Sequence, residues 1–88
     1  MSEFEMRLRV CNGRKDGRSQ VVYIEPFGED YTLLAEESLE IVVTESGPTP
    51  SITLDESENA TSVYFDTGHH FEVYQGGQPI KCGHNRGR

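Results

Sequence analysis

The chain has 88 residues, a net charge of −7, 34% hydrophobic residues and no tryptophan, which makes it one small domain with a thin core and leaves self-association as a way to add buried surface. All eight basic residues lie near the ends, at Arg7, Arg9, Arg14, Lys15, Arg18, Lys81, Arg86 and Arg88, while twelve of the fifteen acids fall in the interval between Ser19 and Ile80, which has no Lys or Arg. Such a body repels phosphate backbones, so a nucleic-acid partner is disfavoured, and no apolar run approaches the roughly 20 residues of a membrane span.

With two cysteines and no secretory signal pattern, the expected setting is the cytoplasm, with both thiols reduced. Asn59-Ala60-Thr61 matches the N-glycosylation pattern but has no secretory context.

Taken in order, Phe4–Val10 alternates apolar and charged residues, the period of a half-buried strand, with Phe4, Met6, Leu8 and Val10 inward and Arg7, Arg9 and then Cys11 outward. Asn12 to Ser19 contains Asn-Gly and Asp-Gly and reads as a hairpin loop into a second strand, Gln20–Glu25. Pro26 and Gly28 then break the strand, and Tyr31, Leu33 and Leu34 read as a packed crossing from one sheet to another rather than an exposed tip.

Ser38–Thr44 is a third strand, with Leu39, Ile41 and Val43 on one face and Glu40 and Val42 on the other. Gly47-Pro48-Thr49-Pro50 breaks it, and Ser51–Asp55 follows with Ile52 and Leu54 inward. Thr61–Asp66 carries Val63 and Phe65 inward with Tyr64 outward, and Thr67-Gly68-His69 turns the chain. His70–Gln75 has Phe71 and Val73 inward with Glu72 and Tyr74 outward; Gly76-Gly77 turns again, and Pro79–Cys82 forms a short seventh strand suited to an edge.

Seven short strands without a helix predict an all-β domain over residues 1–88, an antiparallel β-sandwich or Greek-key barrel, closed by a polar tail, 83–88, that frays in part.

Two groups of residues carry possible chemistry. His69, His70, Cys82 and His84 are zinc or copper ligand types, and the Cys82-Gly-His84 spacing after a last strand resembles the C-terminal ligand loop of cupredoxins, although here the spacing is narrower and no Met follows. Strand parity sets Cys82 inward and Cys11 outward, which argues against a disulfide between them. The second group, Glu25, Glu29 and Asp30, is held in a turn by Pro26 and Gly28 and offers paired carboxylates, but no nucleophile elbow or cysteine-enzyme signature accompanies it. The Asp55–Asn59 run lacks the alternating ligands and central Gly of an EF-hand loop.

The segments IEPFGEDYTLL, ESLEIVV and IKCGHNR together resemble a group of small bacterial proteins of no known activity, which carry an E-P-(aromatic)-G-E-D-Y segment and close on C-G-H-N-R. The resemblance singles out Glu25, Pro26, Gly28, Glu29, Asp30 and Tyr31 in one motif and Cys82, Gly83, His84, Asn85 and Arg86 in the other, with Glu25, Glu29, Asp30, Tyr31 and Arg86 as the candidate binding residues. As one of the few cations, Arg86 is suited to neutralise Glu29 or Asp30, so the two motifs are expected to meet and lock the tail across the sandwich.

The function these features favour is a non-catalytic binding module whose acidic face, with Tyr23, Tyr31, Tyr64 and Tyr74, recognises a basic protein partner, alone or as a homodimer. The alternative is a metal-binding domain built on the Cys/His group, and a hydrolase or isomerase using Glu25 or Asp30 as base has no positive sign.

Overall fold

Alternation along the first and third apolar runs is what builds the first sheet of the structure, a computed structural model that describes residues 3–46, 51–66 and 70–88. β1 (Glu3–Cys11) pairs antiparallel with β4 (Ser38–Ser46) in an unbroken register that sets Leu8 opposite Ile41 and Val10 opposite Leu39. β4 in turn pairs with β7 (His70–Gln75), which continues to the two-residue β8 (Gln78–Pro79), giving a sheet of order β1-β4-β7-β8.

The second sheet has the order β3-β2-β6-β5, from β2 (Gln20–Glu25), β3 (Glu29–Leu33), β5 (Ile52–Glu56) and β6 (Ala60–Phe65). Val22, Ile24, Tyr31, Leu33, Val63 and Phe65 from this sheet meet Val10, Leu39, Ile41, Val43 and Val73 from the other in one core. The fold is a β-sandwich and not a closed barrel. Among the described residues there is no helix, and so none long and apolar enough to cross a membrane.

The expected arrangement differs in several places. The described strands number eight, because the acidic connection after β2 is itself partly a strand: a turn at Pro26–Gly28 folds β3 back onto β2, with Ile24 opposite Glu29. The crossing between sheets is confined to Leu34–Glu37, where the amide of Glu37 donates to Leu34 O, the amide of Leu34 donates to the Glu37 carboxylate, and Glu36 sits at φ 66°. The Asn-Gly loop does not close a hairpin, since β1 and β2 belong to different sheets. The pairing is not wholly antiparallel: β2 and β6 run parallel, with Val22 beside Thr61 and Ile24 beside Val63. The breaker at 47–50 and the turn at 67–69 lie outside the described residues.

Asn12 explains why the loop crosses sheets. Its side chain is buried, and its amide nitrogen lies 2.9 Å from Arg18 O, 3.1 Å from Leu33 O and 3.1 Å from Leu34 O, while its oxygen accepts from the Arg14 amide at 2.9 Å. One side chain thus ties the end of β1, the following loop and the β3–β4 crossing together through three backbone carbonyls. At the other end Phe27 packs with its ring centroid 5.9 Å from Phe65 and 5.1 Å from Phe71, joining the β2–β3 turn to one strand of each sheet.

Candidate functional site

The C-terminal segment does not form the expected seventh strand through Cys82, and it does not end as a loose tail. After β8 the amide of Ile80 still donates to Val73 O, and then the chain leaves the first sheet in consecutive turns and docks along the outer edge of β3. Gly83 donates its amide to Asp30 O at 2.7 Å, Thr32 donates to His84 O at 2.9 Å, and His84 forms a parallel bridge with Tyr31. The tail therefore covers an edge whose N–H and C=O groups would otherwise be left open. Parity fails for Cys82 because it lies in a turn, where alternation has no meaning, and its side chain is exposed. Cys11 is exposed as well, and both thiols are free.

Side chains fasten the same contact. Arg86 forks onto Asp30, with Nη2 2.5 Å from Oδ1 and Nε 3.1 Å from Oδ2. The Cys82 thiol donates to Asp30 Oδ1 at 3.8 Å, with Arg86 Nη2 3.9 Å from the sulfur. The guanidinium holds the Asp30 carboxyl below the ordinary carboxylate range, and the carboxylate raises the Arg86 pKa in return. His84 Nε2 lies 3.0 Å from Gln75 Oε1, and the Gln75 amide reaches Ser38 O at 3.3 Å, which carries the tail's attachment back to β4.

The backbone explains the residue types. Gly83 has φ 88°, and a Cβ there would stand 3.2 Å from Cζ and Nη2 of Arg86, so the position needs glycine for its conformation and for the guanidinium lying over it. Asn85 takes φ 55°, a region Asn tolerates better than most residues. In the other motif, Gly28 turns the chain at φ 70°, and Tyr31 is buried with its hydroxyl donating to Glu29 Oε1 at 2.5 Å. Burial first, and the Glu29 carboxylate second, push the Tyr31 phenol well above its ordinary value.

Of the residues singled out beforehand, Asp30, Tyr31 and Arg86 come together at this latch, with Glu29 tied to Tyr31. Glu25 stands apart, half-buried at the end of β2. The ligand-type residues are not assembled: His70 is exposed at the start of β7 opposite Thr44, His84 is engaged with Gln75, and Cys82 faces Asp30 and Arg86. Among the described residues no three His, Cys, Asp or Glu side chains gather to hold a metal ion, and His69 lies outside those residues.

The four tyrosines divide. Tyr31 is in the core. Tyr74 lies on the outer face of the first sheet, lining a depression of about 360 Å³ with Glu5, Arg7, Glu40, Val42 and Glu72. Tyr23 and Tyr64, each 39% exposed, stand on neighbouring strands of the second sheet. Register sets Asp30, Tyr23, Ser62 and Asp55 in one row across its outer face, and Glu25, Tyr64 and Thr53 in the next. Asn12, Gln75 and Thr32 make contacts that local sequence pattern does not announce. Asn-Gly was the only signal that marked any of them, and it gave no hint of burial.

The fold and this geometry define a small β-sandwich whose two motifs build a structural latch. Comparison with family models, with curated proteins and with solved structures yields no match.

Proposed function

We propose that the protein is a non-catalytic interaction module that uses the outer face of the β3-β2-β6-β5 sheet to hold a basic protein segment. The observation that carries this reading is the pairing of Tyr23 and Tyr64, half-exposed and adjacent, with Glu25 and Asp55 in the same two rows, on a sheet whose strands contain no Lys or Arg. Aromatic rings flanked by carboxylates offer a cationic side chain both a ring face and an anionic partner. Arg86, which lies against the β3 edge of this sheet, is spent on Asp30, and the four strands bring no cation of their own to Glu25 and Asp55. Two free, exposed thiols accord with action in the bacterial cytoplasm.

A titration of ¹⁵N-labelled protein with a synthetic peptide of alternating Arg and Gly tests it. Amide shifts confined to β2, β5 and β6, weakened by added salt and abolished by the pair Glu25→Lys and Asp55→Lys, are the expected result. Shifts spread over both sheets, or binding unaffected by the two reversals, would defeat the reading.

A further inference from the structure

The two sheets have four edges among the described strands, and they are not equally protected. β3 is covered by the C-terminal segment, β8 has only two residues, and β5 presents acids without a base, Asp55 and Glu56. β1 is different: nine residues long, bonded on one side only, with no bulge in its register and no proline. Its hydrogen-bond phase follows from the Asn12 amide, which donates to Glu37 O at 2.8 Å. Asn12 and Glu37 extend the β1–β4 register by one step, so the even-numbered residues bond to β4 and the odd-numbered ones, from Glu3 to Cys11, turn their N–H and C=O groups to the open edge.

The charges on those odd positions read Glu3, Glu5, Arg7, Arg9. This order is self-complementary about Met6. We propose that β1 is a homodimerisation edge: a second copy of the chain adds its own β1 antiparallel, with the two-fold axis on Met6, and joins the two first sheets into one continuous sheet. In that register Glu5 opposes Arg7 of the second copy and Arg7 opposes its Glu5. Each opposed odd pair exchanges two backbone hydrogen bonds, and like faces stay together, because Met6 meets Met6.

Neighbouring registers are disfavoured by the same charges. An axis on Glu5 stacks Glu5 on Glu5, an axis on Arg7 stacks Arg7 on Arg7, and an axis on Leu8 sets Arg7 against Arg9; only the Met6 register pairs every charge with its opposite. The side chains can reach such partners: within the chain Arg7 Nε already lies 3.0 Å from Glu5 Oε1, with both side chains more than half exposed and free to exchange one carboxylate for another. The proposal is independent of the acidic face on the other sheet.

Sedimentation equilibrium over a wide concentration range tests it with two single reversals, Glu5→Arg and Arg7→Glu. The wild type is expected to dimerise, and each reversal to weaken self-association at least about tenfold by setting like charges opposite one another. Mixing the two variants is expected to restore a heterodimer, since one chain then carries arginine at both positions 5 and 7 and the other carries glutamate at both. The double variant Glu5→Arg/Arg7→Glu is expected to dimerise again. Circular dichroism checks that each variant is folded. A wild type that stays monomeric throughout, a dimer indifferent to both reversals, or folded variants that remain apart on mixing would each overturn the proposal.

Discussion

Arg86 lies directly over Gly83 while its guanidinium forks onto Asp30, so that the residue closing the latch rests on the backbone of the residue that lets the chain turn. Putting a methyl group at Gly83 therefore offends twice, through φ 88° and through a 3.2 Å approach to the guanidinium. Gly83→Ala is expected to lower stability by about 1 to 2 kcal/mol. In an Arg86→Ala background the collision is gone and only the backbone cost remains, so the two substitutions should be less than additive. Urea unfolding of the four proteins of that cycle measures it, and strict additivity would show that the overlap with Arg86 is irrelevant.

The ion pair itself sets an acid limit. Asp30 is held below its unfolded value of 3.8, chiefly by the hydrogen bond from Arg86. A carboxyl depressed in the folded state stabilises above the unfolded pKa, and the contribution is lost as pH falls through the folded pKa. Wild type should therefore unfold at higher urea than Asp30→Asn near neutrality, and the gap should close as the pH drops below 3.8. Asp16, brought to about 2 by Arg14 and the Arg18 amide, loses its contribution in the same direction between 3.8 and that value. A gap between wild type and Asp30→Asn that persisted unchanged into strong acid would remove Arg86 as its cause.

Much of this architecture is written in alternation. The inward and outward faces of β1, β4, β6 and β7 follow from period two, and the meeting of Asp30 with Arg86 follows from the scarcity of cations. β3 was obscured because Pro26 and Gly28 announce a break and Leu34 extends the apolar stretch beyond the strand, which hides the short Asp30–Leu33 alternation. Turn chemistry at Asn12-Gly13 says that the chain bends, not which sheet it enters; that choice depends on carbonyls of Arg18, Leu33 and Leu34, two of them distant in sequence. The parallel β2–β6 pair rests on the same kind of long-range complementarity, to which local patterning is blind.

Asn12 is consequently the loop residue most sensitive to change. Asn12→Ala removes the one side-chain amide that joins Arg18 O, Leu33 O and Leu34 O, although Leu34 O keeps the Glu37 amide, and it is expected to cost about 1 to 3 kcal/mol. Asn12→Asp keeps the shape but replaces the donor with an acceptor facing those carbonyls, so it should be at least as damaging at neutral pH and partly recover in mild acid, where a protonated carboxyl donates again. Thermal unfolding at two pH values checks both, and an Asn12→Asp variant as stable as wild type at neutrality would show that the amide donor is dispensable.

Tyr31 gives the latch a spectroscopic reporter. Its phenol is buried and donates to Glu29, and both effects raise its pKa, burial being the larger. A group whose folded pKa is raised stabilises below the unfolded pKa, and that stability is lost as pH climbs through the folded value. In an alkaline absorbance titration of the four tyrosines, Tyr31 should thus ionise last and together with unfolding. Tyr31→Phe should remove this late step, and it should lower stability by about 1 kcal/mol through the lost hydrogen bond. If the late step survived in Tyr31→Phe, the buried phenol would have to be another tyrosine, and the packing of β3 beneath the C-terminal segment would be wrong.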